Sequence, residues 1–524
     1  DVKYDIKMEY YENGGGAVAK LSWSSASQAK EIIPQSRLYP ATGVIPTPTP
    51  TPTIIATPTP TTSNPPEGSI TIDRNTKYQT IEGFGFFGGQ GAWWDSDDPN
   101  YFYSTPWLDL MFNNLGSTMW RNELYPHIPV TANNGGQDAY WDKQRPCAQA
   151  IANYCNTNNI PLKILLSVWS PPAAYKCLLD GDQNFLIGQE PDGTRGGNVL
   201  DPTEVTNFRN WLVSGLQMYK DAGLNVYAMS FQNEPYFWEP YNSCFYYQDR
   251  ADHYDYHTFS QTVNPGIRSF TNNNGTHPLT FGSENMLGME GLDINWQWFY
   301  HQNIMNDATA LANLDRWAVH GYTDGVQAVG GSEALEAWQG QYNHFTQPSG
   351  KPCWQTEISG FDPSIWLDNG SQQGSFAYGL SIQLGLIYGK VAAWVFWQGT
   401  AGSAPGIYNM TGYNLSVGKT FYASKQFYRY IRPGARMVSV INGNADLYVS
   451  AFEHTGLNNF VIVLVNNSTN SKTISITGSN LPGSYTGYRS SSSENCANIG
   501  TVYPSSVTVP GKSILTLVNG DYTE

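Results

Sequence analysis

DPTEVTNFRNWLVSGLQMYKDAGLNVYAMSFQNEPYFWE, residues 201–239, decides how this chain folds. Asp201, Pro202 and Glu204 form a helix-start signature: a capping Asp, Pro at the first helical position and Glu at the third. Val205, Phe208, Trp211, Leu212, Leu216 and Tyr219 then fall on one face at helical spacing. Gly223 predicts the helix end, and the apolar run to Gln232 reads as a buried strand. At its mouth stand Asn233, Glu234 and Pro235, where Pro ends strand pairing and a carboxylate is a poor packing choice.

Outward from this stretch the same helix-then-strand unit recurs. A helical stretch from about Pro146 precedes LKILLSVW at 162–169, and one from Ser332 precedes Cys353 to Thr356. Ser371 to Tyr388 precedes VAAWVFW at 391–397, and shorter units end at Met119 to Arg121 and at Trp317 to His320. Repeated alternation implies a parallel sheet, and evenly spaced apolar strands favour a closed (β/α)8 TIM barrel of α/β class. An open doubly wound sheet is the alternative, but its nucleotide-binding glycine fingerprint is missing. The glycines at 88–91 lack the Lys-Ser/Thr of a phosphate loop, and no cofactor is expected.

Around the barrel, composition changes twice. From about Arg432, short strands lie between Gly, Asn, Ser and Pro turns, at Leu447 to Phe452, Phe460 to Val465, Ser471 to Thr477 and Ser513 to Val518. The alternating strand at 69–73 has no partner in a barrel and is expected to join them. Residues 68–82 and 428–524 are therefore read as a side β-sandwich and 83–427 as the barrel. Residues 41–67 carry PTPTPTPTIIATPTP, an extended Pro-Thr linker of the kind that separates modules in secreted polysaccharide degraders. Residues 1–40 read as a hairpin of 4–11 with 19–23 across Gly14 to Gly16, too short to bury a core alone.

Bulk properties narrow the partner. The chain has 524 residues, net charge −15, 14% charged and 14% aromatic residues. That balance is wrong for nucleic acid, which needs clustered Lys and Arg, and suits a neutral ligand with flat apolar faces such as a sugar ring. No apolar run approaches the ~20 residues of a membrane span. The chain starts at Asp1 without a leader, so a removed signal or a fragment is expected, and the protein is read as secreted and monomeric. Cys147, Cys155, Cys177, Cys244, Cys353 and Cys496 have no metal-ligand spacing; buried thiols are expected, with room for a disulfide or two.

A second glutamate repeats the first. KPCWQTEISG, 351–360, runs through a short strand to Glu357. One strand-end Glu is ordinarily a solvated or ion-paired group. Two of them, one in an Asn-Glu-Pro context, are what glycoside hydrolysis needs. Glu234 is assigned as acid and base and Glu357 as nucleophile, with a carboxyl separation of ~5–5.5 Å expected for retention. Other strand-end residues join them. Asn233 would hydrogen-bond the sugar 2-hydroxyl, while Arg121 and Tyr322 would hold Glu357 ionised. Trp169, Trp397, Trp93, Trp94 and Tyr236 to Trp238 would stack on sugar faces. His320 also lies at a strand end; read structurally, it is a satisfied histidine and Arg121 a barrel ion pair. Glu284, in GSENM, ranks below Glu357 and is expected to be a supporting polar residue.

Together these residues resemble glycoside hydrolase family 30, from about Ile70 to Val518. The resemblance rests on GFGFFGG at 83–89, WSPP at 169–172, SFQNEP at 230–235, HGY at 320–322, WQTEISG at 354–360, VFW at 395–397, YRYIRPG at 428–434 and DLYVSAF at 446–452. It implies the same two catalytic glutamates and a β-sandwich built from both ends of the catalytic region. The family's glucuronoxylanases carry an Arg-containing loop after the last barrel strand that grips a glucuronate branch. Here residues 397–404 read WQGTAGSA, without Arg or Lys, and no strict dependence on that branch is expected. The substrate expected first is β-1,4-xylan, with β-1,6-galactan, β-1,6-glucan or another β-glucoside as alternatives, and an inactive sugar-binding module as the remaining one. IKMEYYENGGGAVAKLSW at 6–23, with IPQSRLYP at 33–40, is similar to the C-terminal end of a protective-antigen-type carbohydrate-binding domain.

Overall fold

Eight parallel strands close on themselves into a barrel in the computed structural model of the chain. The structure describes residues 22–25, 28–32, 68–88, 104–125, 140–179, 185–186, 199–236, 243–247, 255–292, 300–323 and 331–520. In chain order the barrel strands are β1 (Gly83–Phe87), β2 (Met119–Glu123), β3 (Lys163–Ser167) and β4 (Val226–Ser230). They are followed by β5 (Leu279–Met286), β6 (Arg316–His320), β7 (Cys353–Glu357) and β8 (Ala393–Phe396). β8 pairs with β1, Ala393 beside Gly83, which seals the ring. Gly85 is needed at that seam: a Cβ there would lie 1.9 Å from the Met119 carbonyl oxygen on β2.

Side-chain alternation along the strands fixes what lies inside. Met119, Leu165, Ala318 and Val395 fill the barrel with Ala228, Phe281 and Trp354, whereas Trp120, Ile164, Leu166, Trp317, Val319, Trp394 and Phe396 face the helical layer. With a period of two, the inward residue above Met119 is Arg121, above Leu165 Ser167 and above Ala318 His320. The packed interior thus becomes polar at the C-terminal ends of the strands.

Helix starts differ in places from the spacing. The helix before β4 is Val205–Asp221, not a helix from Pro202, because Asp201 first closes a tight turn. Its carboxylate accepts from the Thr203 backbone N–H (2.8 Å) and hydroxyl (2.6 Å). The helix before β3 spans Tyr140–Thr157 and so holds Pro146 inside it. The one before β8 begins at Ser375, after a loop pinned by Asn369, whose Oδ1 accepts from the Ser371 and Gln372 amides.

Ser69–Thr80 leaves the barrel altogether and pairs antiparallel with Arg436–Asn442 and parallel with Lys472–Gly478, inside a nine-strand sheet. Asn459–Asn466 shows why this β-domain stays on the barrel. Every residue of that strand is buried: Phe460, Ile462 and Leu464 join the core of the β-domain, while Val461, Val463 and Val465 join the barrel's helical core. Each such apolar side chain contributes about 1.5–3 kcal/mol on burial. Gln383, from the barrel helix Ser375–Leu384, donates to the Tyr448 and Val463 carbonyls across the seam.

Residues Asp1–Ser63 form a separate unit, in which Ser22–Ser25 pairs antiparallel with Gln28–Ile32. The hairpin expected across Gly14 to Gly16 and the Pro-Thr linker lie outside the described residues. All six cysteines are free and buried. Among the described residues no helix is long and apolar enough to cross a membrane.

Candidate active site

Glu234 emerges just past β4 and Glu357 ends β7, on opposite sides of the barrel mouth. A carboxylate oxygen of each and a ring nitrogen of His320 all lie within 4.8 Å of one another. Glu234 has φ 44°, the left-handed region that a residue with a Cβ enters at a cost.

Arg121 ties the floor of the site together. Its Nη1 donates to Glu357 Oε2 at 2.7 Å, its Nη2 to Asn233 Oδ1 at 2.6 Å, and its Nε to Ser167 Oγ at 3.0 Å. The same Nη2 lies 2.9 Å from Glu284 Oε1. With each of its nitrogens engaged, the guanidinium stays charged although it is fully buried. Asn233, its oxygen fixed by Arg121, keeps its NH2 as a donor. Tyr322 Oη stands 3.4 Å from Glu357 Oε1 and closer, at 2.9 Å, to Ser359 Oγ. The tyrosine is therefore shared between Glu357 and Ser359 rather than dedicated to Glu357.

His320 is a hub rather than an isolated strand-end histidine. Its Nδ1 lies 2.8 Å from Glu234 Oε1 and 3.9 Å from Glu357 Oε1, and its Nε2 3.6 Å from Glu284 Oε1. Burial alone would lower its pKa, but Glu357, Glu234 and Glu284 outweigh burial and raise it to about 9. For Glu284 burial pushes upward, yet Arg121 and His320 prevail and hold it below the ordinary range. Glu357 is raised, first by burial and then by Glu234, against the opposing pull of His320 and Arg121. Arg121 and His320 thus face the carboxylates of Glu234, Glu284 and Glu357, and the cluster is electroneutral when one further proton is shared between the facing pair.

The aromatic residues divide. Trp169 is 7% exposed and its ring packs on the Arg121 guanidinium, 5.0 Å to the ring centre, so it backs the site rather than offering a free platform. Trp397 is more open; it stacks on Phe87 at 4.2 Å and tilts against Trp169 at 5.7 Å. Tyr236 is 36% exposed beside Phe245. Trp93, Trp94 and Trp238 lie outside the described residues.

Four contributors escaped the sequence reading: Ser167, Ser359, Phe87 and Glu123. Period-two counting from Leu165 and Arg121 would have found Ser167 and Glu123. Glu123, one inward step above Arg121, is pushed up to about 8 by burial. Ser359, two residues past Glu357, gave only the weak signal of a polar residue beyond a strand end, and Phe87 gave no polar signal. The loop after β8 is knitted by its own backbone and by Asn409, whose Nδ2 donates to the Ala401 and Ala404 carbonyls at 2.7 and 3.1 Å. The next cation, Lys419, is turned to the β-domain, donating to the Ser491 carbonyl at 2.9 Å.

No family model matches the chain. Among curated proteins it is similar to glucuronoxylanase XynC of Bacillus subtilis strain 168, 24% identical over 408 residues, 76% of this chain and 78% of that one. A stretch of 44 residues, 8% of the chain, is 66% identical to anti-sigma-I factor RsgI3 of Acetivibrio thermocellus, and spans 7% of that protein's length. Among solved structures it is similar to the catalytic domain of GH30 xylanase C from Talaromyces cellulolyticus, with TM-score 0.64 and 21% identity over 86% of this chain and 99% of that one. It is also similar to the endo-β1,6-glucanase BT3312, with TM-score 0.64 and 18% identity over 87% of this chain and 94% of that one. The closed barrel with a β-domain drawn from both ends of the chain's larger unit is the fold this chain shares with that GH30 xylanase structure.

Proposed function

We propose that this chain is a secreted retaining O-glycoside hydrolase that cleaves β-linked plant cell-wall polysaccharide, β-1,4-xylan first, without strict need of a glucuronate branch. The observation that carries the mechanism is the approach of Glu234 and Glu357 to within 4.8 Å. Retaining enzymes place their carboxyls about 5–5.5 Å apart, and inverting ones leave room for a water at roughly 6.5–9.5 Å. Glu357 attacks the anomeric carbon while Glu234 protonates the leaving oxygen, giving a glycosyl ester on Glu357. Glu234 then takes a proton from water, the water oxygen bonds to the anomeric carbon, and Glu357 departs as carboxylate. Two inversions give net retention. Arg121 steadies the carboxylate of Glu357, and the NH2 of Asn233 meets the sugar 2-hydroxyl as positive charge builds on the ring.

The substrate reading draws on the xylanase relatives and on the absence of Arg and Lys between Trp397 and Gly418. A glucuronate carboxylate would meet no cation from that loop. The second reading, a β-1,6-glucan, draws on the equal TM-score of the endo-β1,6-glucanase. Digestion of unbranched xylan, glucuronoxylan, β-1,6-glucan and β-1,6-galactan separates the two. Xylo-oligosaccharides from unbranched xylan, seen first as the β-anomer by proton NMR, are expected. Gentio-type products move the substrate to the second reading, and a first-formed α-anomer overturns double displacement.

A further inference from the structure

Glu284 is used by neither half of the reaction, yet it is the most deeply placed acid of the site, with no solvent exposure. Two features of the backbone aim it there. The pairing of β5 with β6 slips between Ser283 and Asn285, so Glu284 is the extra residue of a bulge, and its φ is 62°. Bulges re-aim a single side chain without ending the strand. A left-handed backbone at a residue with a Cβ is unfavourable and persists only where its surroundings hold it. What the bulge delivers is one oxygen between two cations: Oε1 lies 2.9 Å from Arg121 Nη2 and 3.6 Å from His320 Nε2.

We propose that Glu284 is a positioning residue: the buried counter-anion that keeps His320 an imidazolium, and so maintains the Nδ1–H that faces Glu234. The inference rests on reading Glu234 as the acid and base. The groups facing His320 are Glu234 after β4, Glu284 on β5, Glu357 on β7, Arg121 on β2 and the ring of Tyr322 at 6.2 Å. Glu234 and Glu357 both approach Nδ1; among the described carboxylates only Glu284 approaches Nε2. A neutral imidazole protonated on Nδ1 would turn a bare lone pair on Nε2 toward the Glu284 anion. A neutral imidazole protonated on Nε2 would lose its donor to Glu234. Only the doubly protonated ring satisfies both neighbours. Without Glu284, two cations would lie buried on the same floor, and His320 is the one that can shed its charge.

The full chain carrying 15N-labelled histidine tests this, with the His320 signal assigned from a His320→Asn sample. In the wild type the ring is expected to stay doubly protonated through neutral pH. In Glu284→Gln its midpoint is expected to fall by at least about one unit. The same variant is expected to lose about 100-fold in kcat/KM on aryl glycosides with poor leaving groups and far less on dinitrophenyl glycosides, which need little acid assistance. An unchanged His320 midpoint overturns the proposal, and so does an equal loss across leaving groups, which would place the effect on the nucleophile through Arg121. If Glu284→Gln does not fold, Glu284→Asp carries the test. It withdraws the charge by one carbon and is expected to lower the midpoint by less; a wild-type midpoint with reduced kcat/KM overturns the proposal there too. The titration needs no substrate, so inactivity of the wild type on every glycan would defeat the proposed function and leave this result readable.

Discussion

The two ends of one barrel hold two polar clusters, one half-buried and one buried, that behave in opposite ways. At the N-terminal end, Glu82 accepts from Arg316 Nε at 2.8 Å, Tyr227 Oη at 2.8 Å and Trp354 Nε1 at 3.3 Å, and its backbone carbonyl accepts from Lys163 Nζ at 2.7 Å. One carboxylate is ringed by donors. At the C-terminal end three carboxylates share Arg121 and His320, and two of those glutamates sit at positive φ. Both clusters are drawn from the same residue types. The lower one surrounds a single carboxylate with donors; the upper one gathers three carboxylates around two cationic side chains.

The largest way to break that contrast is Glu357→Gln. Turnover is expected to fall about 10⁴-fold or more, since a carboxamide cannot form the glycosyl ester. Oligosaccharide affinity, read by calorimetry, should change only a few-fold. Turnover near the wild-type value would remove Glu357 as nucleophile and leave the mouth no different in kind from the floor.

Replacing an arginine by lysine at each end sharpens it. Arg121→Lys loses a fork that reaches Glu357, Asn233 and Ser167 together, and kcat/KM is expected to drop about 10²- to 10³-fold. Arg316→Lys is expected to leave kcat/KM within about three-fold and to cost about 1–2 kcal/mol in urea unfolding, modest because the pair is partly exposed. Comparable kinetic losses at the two positions would erase the division between the ends.

The smallest effect is on stability against pH. His320 rises from 6.5 to about 9 and Glu123 from 4.5 to about 8 on folding, so both bind their protons more tightly in the folded state. Their stabilisation is complete below the unfolded values and is lost as pH rises, through about 8 for Glu123 and about 9 for His320. The melting temperature is expected to fall by about 5 °C or more between pH 6 and pH 9.5, and Glu123→Gln should flatten part of the decline. A flat profile in the wild type would show that the mouth carries no such proton linkage.

How far the sequence reached depended on the kind of signal. Glu234 and Glu357 were legible because polar residues interrupt apolar strands at their ends, and Arg121 and His320 because each closes a short apolar unit. Glu284 was legible as a supporting polar residue near a strand end but not as the oxygen between Arg121 and His320, since a bulge leaves no mark in the order of residues. Trp169 was readable as aromatic but not as the ring behind Arg121, because a stack is made by strands that are neighbours only in space.

The sequence alone determined the helix–strand rhythm, the closed parallel barrel, the return of the early strand to the late β-domain and the two strand-end glutamates. Each follows from local periodicity, turn chemistry and the misfit of a carboxylate in an apolar run. Tertiary structure decided which charges meet: that Arg121 serves Glu357, Asn233 and Glu284 at once, and that His320 stands between three carboxylates. Periodicity says which way a side chain points, whereas electrostatics depends on distance, and distances between residues far apart in the chain exist only once the barrel has closed.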